Sequence, residues 1–213
     1  DADPLVATLR DPFGEVIFSS NASNDVGQRV LPRSGTYALT IAASTPAGTG
    51  DFSFQILDLS QDSTIIGPSQ EPLAGTLTGG FESDVYRCEG TRGAKLVFDT
   101  LNAQDQDTLA TLYNVHGTQL FSGEIQNDFG TFTLPDTGTY FLAVDGARAG
   151  DTPYSFRLLS ATAAPDIRFD QVTQGTLVGG LELDLFRFDG TAGQVVFFDN
   201  LINTAGGNWQ LIG

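Results

Sequence analysis

The sequence predicts an all-β protein made of tandem antiparallel β-sandwich repeats of about 100 residues, with a jelly-roll-like order of strands. Short segments in which β-branched and aromatic residues alternate with polar ones are separated by clusters of Gly, Asn, Asp and Pro. No stretch of 10 or more residues carries a convincing helical pattern. Two long stretches of sequence also recur about 100 positions further along the chain.

The two recurrences cover different parts of the repeating unit. Residues 24–41 match residues 127–144 at 9 of 18 positions, at an offset of 103. Residues 75–101 match residues 175–201 at 14 of 27 positions, at an offset of 100. Neither match needs a gap, and the second begins inside a different part of the unit from the first. Throughout, the residue at the matching position of another repeat is called its counterpart.

This phase difference predicts three units. We expect the C-terminal half of a first repeat at residues 1–60, a complete second repeat at 63–162 and the N-terminal half of a third at 166–213. A chain that starts and stops inside its own units is expected to be a piece of a longer tandem array. In an assembly, the 1–60 half is expected to pack against a complementary half, such as the 166–213 half of a neighbouring copy.

Eight strands are predicted in the complete repeat, near residues 75–78, 84–88, 95–99, 108–113, 119–122, 130–134, 139–144 and 154–159. The motif Leu-Pro-x-x-Gly-Thr-Tyr occurs at residues 31–37 and 134–140. Its proline ends one strand and its tyrosine begins the next. Tyr37 and Tyr140 are therefore predicted to act as tyrosine corners, in which the hydroxyl bonds the backbone upstream.

The charge of the chain excludes some partners. With 26 acidic and 10 basic residues, the formal net charge is −16. Such a chain repels nucleic-acid phosphates and anionic lipid, so neither nucleic-acid binding nor binding to a membrane surface is expected. No apolar run approaches the roughly 20 residues that span a bilayer, so membrane insertion is not expected.

Few residues offer catalytic chemistry, and their counterparts favour structural roles. Cys88 has Phe188 as its counterpart and is predicted to fill core volume rather than to react. His116, the only histidine, has Phe13 as its counterpart and is predicted to lie in a surface turn. Trp209 aligns with a central strand and is predicted to pack in a core. Asp84 and its counterpart Asp184 are predicted to bond local backbone amides at a strand start. The chain is therefore predicted not to be an enzyme.

Calcium is the chemical hypothesis that the acidic loops support best. Hard cations prefer several carboxylate and carbonyl oxygens from flexible loops. The candidate ligands are acidic residues at predicted loop positions: Asp1, Asp3, Asp99, Asp105, Asp107 and Asp128. They follow neither a helical-hand loop nor a nonapeptide calcium repeat. The alternative is that they are solvated turn residues at strand ends.

The order of motifs resembles the bacterial pre-peptidase C-terminal domain. In the second unit the resemblance rests on Gly75-x-Leu77, Asp84-x-Tyr86-Arg87, Asp107-Thr108-Leu109, Gly138-Thr139-Tyr140 and Tyr154-Ser155-Phe156. Parts of it return as Gly35-Thr36-Tyr37 and Phe52-Ser53-Phe54 in the first unit, and as Gly175-x-Leu177 and Asp184-x-Phe186-Arg187 in the third. The resemblance implies a jelly-roll-like β-sandwich found as an accessory module of secreted bacterial proteases and as tandem copies in large surface or secreted proteins. Some relatives bind polymeric substrates such as collagen and take up calcium at acidic loop residues. The Asp pairs depart from a clean repeat, because Asp105 and Asp107 align with Ala205 and Gly207.

Two functions fit these observations. The first is a structural or adhesive module of an extracellular or cell-surface tandem-repeat protein, such as a surface fibre, adhesin or sheath component, whose partners are neighbouring repeats or copies of itself. The alternative is an accessory domain of a secreted bacterial hydrolase that binds a polysaccharide or protein polymer. The alternative predicts an exposed aromatic or polar patch that recurs on one sandwich face.

Overall fold

The computed structural model describes residues 5–61, 64–68, 71–79, 81–103, 107–179, 181–201 and 208–212. These residues form 12 strands: β1 Leu5–Arg10, β2 Val16–Asn21, β3 Ala38–Ala43, β4 Thr64–Ile65, β5 Leu73–Leu77, β6 Ser83–Gly90, β7 Lys95–Ala103, β8 Leu109–Asn114, β9 Gln119–Glu124, β10 Phe129–Thr133, β11 Gly138–Asp145 and β12 Thr152–Ser160. In this described part of the chain there is no helix that is long and apolar enough to cross a bilayer.

Residues 64–160, here called the central sandwich, form two packed sheets. One has four strands in the order β10-β7-β12-β5, and the other has five in the order β4-β6-β11-β8-β9. All neighbouring pairs are antiparallel except β4 and β6, which run parallel over Thr64 and Ile65. The prediction of an all-β antiparallel sandwich is confirmed, and the parallel two-residue strand β4 is an addition that the sequence did not predict.

The strands of the central sandwich pair in a nested way. Strand β5 pairs with β12, β6 with β11, β7 with β10, and β8 with β9. Successive strands from β5 to β8 alternate between the sheets, and so do those from β9 to β12. This is the connection pattern of a jelly roll. Every one of the early strands β5, β6 and β7 therefore depends on a late strand for its hydrogen bonds.

Strand alternation explains the core. In β6 and β11, every second side chain points between the sheets, as Tyr86, Cys88, Leu142 and Val144 do. Phe98 of β7 stacks on Phe156 of β12 with ring centroids 4.8 Å apart, and both side chains are fully buried. Phe121 and Phe129, although only partly buried, extend this aromatic cluster towards β9 and β10. Close packing of these rings contributes, with the aliphatic core residues, to the stability of the sandwich.

The N-terminal segment, residues 5–61, contains one three-stranded sheet in the order β2-β1-β3. It corresponds to β9-β8-β11 of the central sandwich, and β1 pairs with β3 from Leu5–Ala43 to Arg10–Ala38. The counterparts of β10 and β12 form no strand. In the central sandwich those two strands pair only with β7 and β5, for which the segment contains no counterpart.

The C-terminal segment, described within residues 161–212, forms no strand. It contains the counterparts of β5, β6 and β7, which do not pair with each other in the central sandwich. What remains is one parallel bridge between Asp166 and Arg187. The Ile167 amide donates to the Arg187 carbonyl at 2.8 Å, as the Ile66 amide donates to the Arg87 carbonyl at 2.7 Å. The C-terminal segment thus reproduces a backbone contact of the central sandwich for which it contains both residues.

The eight predicted strands of the complete unit all occur, with boundaries shifted by a few residues. The largest difference is at β7, which extends to Ala103 rather than ending near Asp99. The division into half, complete and half repeats stays a prediction. The N-terminal segment has one three-stranded sheet and the described part of the C-terminal segment has none, which is what the nested strand pairing of the central sandwich would leave in such halves.

Candidate functional site

His116 and Cys88, the residues best suited to acid–base and nucleophilic catalysis, lie in a surface turn and in the core. His116 lies exposed in the turn between β8 and β9, where its amide donates to Asn114 Oδ1 at 3.0 Å. Cys88 is 1% exposed within the core. Burial, and secondarily the charge of Glu89, raises the pKa of the Cys88 thiol to about 11, so it stays protonated near neutral pH. Both predictions, a surface turn and a core residue, are confirmed.

Asp84 takes part in a hydrogen-bonded chain that crosses the core. The Tyr154 hydroxyl donates to Asp84 Oδ2 at 2.5 Å, and the Tyr86 hydroxyl lies 2.5 Å from the Tyr154 hydroxyl. Since Tyr154 gives its proton to Asp84, Tyr86 is the donor of the second bond. Burial raises the pKa of both tyrosines, so both hydroxyls stay protonated. The chain joins β6 to β12 and therefore ties the two sheets together.

The hydrogen-bond partner predicted for Asp84 was wrong. It was expected to bond nearby backbone amides, but it accepts from a side chain 70 residues further along. The reason is strand alternation, because Asp84 lies on the same inward face of β6 as Tyr86. A carboxylate at the sandwich edge gives the buried Tyr154 hydroxyl an acceptor for its proton, while Tyr86 donates to its oxygen.

The tyrosine corners are confirmed at both positions. The Tyr140 hydroxyl donates to the Asp136 carbonyl at 2.6 Å and accepts from the Asp136 amide at 3.2 Å. The Tyr37 hydroxyl makes the same pair of bonds to Arg33, at 2.8 and 3.2 Å. The identical geometry in both places shows that the motif fixes a turn locally, independently of the rest of the unit.

The predicted calcium ligands are only partly within the described residues. Asp1, Asp3 and Asp105 lie outside them. Asp99 pairs with Arg157, and Asp107 pairs with Arg148. Asp128 Oδ1 accepts from the Thr100 amide at 2.8 Å. Asp99 and Asp128 thus flank Thr100, but the described part of the chain contains no group of three or more His, Cys, Asp or Glu side chains arranged to hold a metal ion. Calcium binding stays a prediction.

The N-terminal segment packs on the outer face of the five-stranded sheet. Gln28 Nε2 donates to the Asn114 carbonyl at 3.2 Å. A Cβ atom on Gly27 would lie 2.8 Å from the Tyr113 hydroxyl, and Gly27 has a φ of +69°, so this approach requires glycine. A cleft of about 210 Å³ separates Gln55, Leu57 and Leu59 from the start of β6. This contact region is called the N-terminal junction.

Two carboxyl groups meet at the N-terminal junction. The Ser83 hydroxyl lies 2.9 Å from Asp145 Oδ1 and 3.3 Å from Asp25 Oδ2. The pKa of Asp145 is raised to about 7. The largest cause is loss of hydration on burial, and the hydrogen bond and charge of Asp25 contribute the rest of the rise. Asp145 is therefore partly protonated near neutral pH, and the junction gains negative charge as the pH rises through this range.

The C-terminal segment packs on the outer face of the four-stranded sheet through a buried ion pair. Arg157 Nε donates to Asp99 Oδ2 at 2.6 Å, and both side chains are almost fully buried. The Arg157 guanidinium also donates to the Leu183 carbonyl at 2.8 Å, while the Leu183 amide donates to Asp99 Oδ1 at 3.1 Å. Glu182 lies 3.3 Å from the other nitrogen of Arg157. These contacts define the C-terminal junction.

Burial dominates the electrostatics of the C-terminal junction. It raises the pKa of Asp99 to about 6, although the Arg157 hydrogen bond and charge oppose the rise. A buried ion pair contributes little net stability when intact, but removal of one partner leaves an uncompensated charge. The Arg157–Asp99 pair therefore determines where residues 182–183 attach to the sheet, rather than adding much to its stability. Sequence reasoning missed it.

A sequence signal for the C-terminal junction was present. Both β7 and β12 contain consecutive buried residues, Leu96-Val97-Phe98 and Leu158-Leu159, instead of a strict alternation. Such runs indicate a strand that is covered on both faces. The run predicts that something lies on the outer face of this sheet, although not that it is the next segment of the same chain.

Both end segments expose apolar side chains whose counterparts form the core of the central sandwich. In the N-terminal segment these include Phe52, Phe54 and Ile56, and in the C-terminal segment Leu177, Phe186 and Phe198. Trp209 was predicted to pack in a core, and this prediction was wrong, because the side chain is 76% exposed and no strand forms around it. Its counterpart Leu109, at the start of β8, is itself 38% exposed, so this position does not face the core of the central sandwich either.

Comparison with known proteins gives distant likenesses. No protein-family model matches the chain, and no curated protein sequence is similar to it. The pre-peptidase C-terminal domain of a collagenase from Bacillus anthracis is 20% identical, with a TM-score of 0.39 over 46% of this chain and 94% of that one. A periplasmic inhibitor of g-type lysozyme from Aeromonas hydrophila is 13% identical, with a TM-score of 0.38 over 46% and 96%. A mitogen derived from Yersinia pseudotuberculosis is 17% identical, with a TM-score of 0.35 over 52% and 99%. At these levels the likeness assigns no activity to this chain.

Proposed function

We propose that the chain is a non-catalytic structural module of an extracellular or cell-surface bacterial protein with tandem jelly-roll units, related to the pre-peptidase C-terminal domain. The observation that carries this proposal is the coverage of the central sandwich on both outer faces. The N-terminal segment contacts Tyr113 and Ser83, and the C-terminal segment contacts Asp99 and Arg157. A unit whose two faces are joined to its neighbours is suited to connection in series.

The internal chemistry supports the non-catalytic part of the proposal. The tyrosine hydroxyls and the thiol are buried and protonated, and the acidic side chains Asp84, Asp99 and Asp128 bond protein donors. The polar groups therefore stabilise the sandwich or its junctions. The strongly acidic surface supports a secreted location by keeping an array soluble and separate from anionic lipid.

The polymer-binding alternative has less support. It requires an open face with a recurring aromatic or polar patch, whereas residues on both outer faces of the central sandwich contact the flanking segments. The apolar residues that are exposed lie in the end segments, at positions whose counterparts are core residues.

Immunogold electron microscopy of the source cells, with antibodies raised against this chain, tests the proposal. We expect label along surface fibres or on the outer envelope, in an array much longer than one unit. Label confined to the cell interior would contradict the extracellular role. Tight co-sedimentation of the purified chain with an insoluble polysaccharide or collagen would instead favour the accessory-domain alternative.

A further inference from the structure

We propose that the two junctions are one interface used twice, in which the start of β6 in each unit docks on the outer face of the last strand of the unit before it. The partner of a unit is then the unit that follows it in the chain, always bound in the same sense. The inference names the partner for the structural role proposed above and rests on that role.

The two junctions use corresponding faces of the units. At the C-terminal junction, residues 182–183, the counterparts of the start of β6, contact β7 and β12 of the four-stranded sheet. At the N-terminal junction, residues 25–28 and 55–59 contact the five-stranded sheet, which contains β6 and β8. They are counterparts of residues in or beside β10 and β12, which belong to the four-stranded sheet. In both junctions, the four-stranded side of one unit therefore meets the five-stranded side of the unit after it.

The first shared contact joins an outward residue of the last strand to the start of β6. The Arg157 guanidinium lies 2.8 Å from the Leu183 carbonyl and 3.3 Å from Glu182. Its counterpart Gln55 lines a cleft together with residues 82–83, which are the counterparts of those two. The same three positions therefore meet in both junctions, with an ion pair in one and an uncharged amide in the other.

The direction of the side chains supports this correspondence. In β12, Phe156 and Leu158 belong to the core, so Arg157 between them points outward. In the N-terminal segment, Gln55 and Leu57 line the junction, whereas the residue between them is 77% exposed. The segment therefore presents the residues that correspond to the outward face of β12, although it forms no strand there.

The second shared contact is an aspartate beside the start of β6. At the N-terminal junction, the Ser83 hydroxyl lies 3.3 Å from Asp25 Oδ2. The counterparts of these two residues are Leu183 and Asp128. The Leu183 amide donates to Asp99 at 3.1 Å, and Asp128 bonds the amide of the residue that follows Asp99. Asp128 thus lies beside the docked residue, as Asp25 does in the other junction.

The docking residues also have the same local structure in both units. Glu82 Oε2 accepts from the Thr78 amide at 2.8 Å, and Glu182 Oε2 accepts in the same way from the Val178 amide. Each bond spans only four residues, and the second one forms in a segment whose described part contains no strand. The structure that docks therefore does not depend on the rest of its unit.

The test asks whether corresponding cysteine pairs form disulfides in both junctions of the full-length chain. One variant carries Asp25→Cys with Ser83→Cys, and the other carries Asp128→Cys with Leu183→Cys. The controls are the mixed pairs, Asp25→Cys with Leu183→Cys and Asp128→Cys with Ser83→Cys, which contain the same four substitutions. The native Cys88 is 1% exposed in the core, so it does not compete.

Air oxidation in dilute solution, followed by mass spectrometry of the linked peptides, gives the readout. A disulfide requires Cβ atoms about 4 Å apart, and thiols held in contact have a high effective concentration. We therefore expect both corresponding pairs to form at least about a hundredfold faster than either mixed pair. Far-ultraviolet circular dichroism of the reduced variants checks that each is folded. A disulfide in the N-terminal pair alone, or equal rates in the mixed pairs, would overturn the proposal.

A second test needs no new cysteine. Gln55→Arg places at the N-terminal junction the cation that Arg157 supplies at the other, and we expect it to raise the melting temperature by about 2 °C through Glu82. In a Glu82→Gln background this increase should disappear. Ile56→Arg adds the same charge at a residue that is 77% exposed, so it is the matched control. Equal effects of Gln55→Arg and Ile56→Arg would contradict the correspondence of positions 55 and 157.

The outcomes separate this inference from the structural role itself. If only one of the two junctions gives a disulfide, the junctions differ, while label at the cell surface would still support the role. If both corresponding pairs form and no label is found at the surface, the shared interface stands and the extracellular role fails.

Discussion

Phe98 and Phe198 occupy matching positions in the sequence but different environments in the molecule. Phe98 lies in β7, fully buried between Phe156 and Phe129, whereas Phe198 is 53% exposed in a segment without strands. The residues around them are similar, with Phe-Asp-x-Leu at 98–101 and again at 198–201. Local sequence is therefore not what decides whether these residues form a strand. In the central sandwich the late strands supply the partners, because β5 and β7 pair with no other strands.

The comparison of the two phenylalanines predicts a large difference on truncation. Phe98→Ala should lower the free energy of unfolding of the central sandwich by about 3–5 kcal/mol, because it leaves a cavity among stacked rings. Phe198→Ala should change it by less than about 1 kcal/mol, since the side chain is largely in solvent. Urea denaturation followed by circular dichroism measures both. Equal effects of the two substitutions would show that the C-terminal segment has its own core in the isolated chain.

The attachment of the C-terminal segment should depend on Arg157. Arg157→Ala leaves Asp99 buried without its cation, and we expect a loss of about 3 kcal/mol in the same denaturation experiment. Arg187→Ala is the matched control, because its ion pair with Asp166 is half exposed and should contribute less than about 1 kcal/mol. Replacement of both Arg157 and Asp99 by apolar residues should recover part of the loss. If Arg157→Ala were as mild as the control, the junction would not be held by this ion pair.

The N-terminal junction should respond to pH in the opposite sense to an ordinary surface ion pair. Since the folded-state pKa of Asp145 is raised from 3.8 to about 7, its contribution to stability is fully present below pH 3.8 and is lost as the pH rises through about 7. The groups near it are Asp25, Ser83 and Tyr113, with Arg29 acting on Tyr113. Asp145→Asn should therefore raise the melting temperature by a few degrees at pH 7.5 and have little effect at pH 4.

Asp99, whose pKa is about 6, shifts stability in the same direction, so the comparison must be made as a difference between Asp145→Asn and the wild type. Asp189→Asn, at an exposed position, controls for the loss of one negative charge. A pH profile of Asp145→Asn parallel to that of the wild type would contradict a raised pKa of Asp145 at this junction.

Calcium should produce the smallest effect. If the acidic loops bind calcium, the melting temperature in millimolar calcium should exceed that in chelator by more than a degree or so. Asp107→Asn should reduce the difference, while Asp189→Asn should not. Equal melting temperatures with calcium and with chelator would remove the calcium prediction. An increase that survives at Asp107→Asn would place the ion elsewhere.

The sequence was sufficient for the features that depend on local pattern. The strands of the central sandwich, the tyrosine corners at Tyr37 and Tyr140 and the burial of Cys88 follow from alternation, turn residues and counterparts. The Asp84–Tyr154 bond and the Arg157–Asp99 pair were not predicted, because each joins residues that only the fold brings together. Trp209 was misassigned for a different reason. Its counterpart Leu109 is 38% exposed in the complete central sandwich, so the alignment with a strand did not by itself indicate a core position.

The nested pairing also sets an order on folding. Gly75 of β5 pairs with Tyr154 of β12, the last strand of the unit, so the sheet cannot close until nearly all of the unit has been synthesised. The early strands must wait as unpaired chain, and contacts this distant in sequence form slowly. In a growing chain of such units, the waiting strands emerge beside a neighbour with nearly the same sequence. Mispairing between the early strands of one unit and the late strands of the one before it is therefore the characteristic misfolding hazard of this architecture.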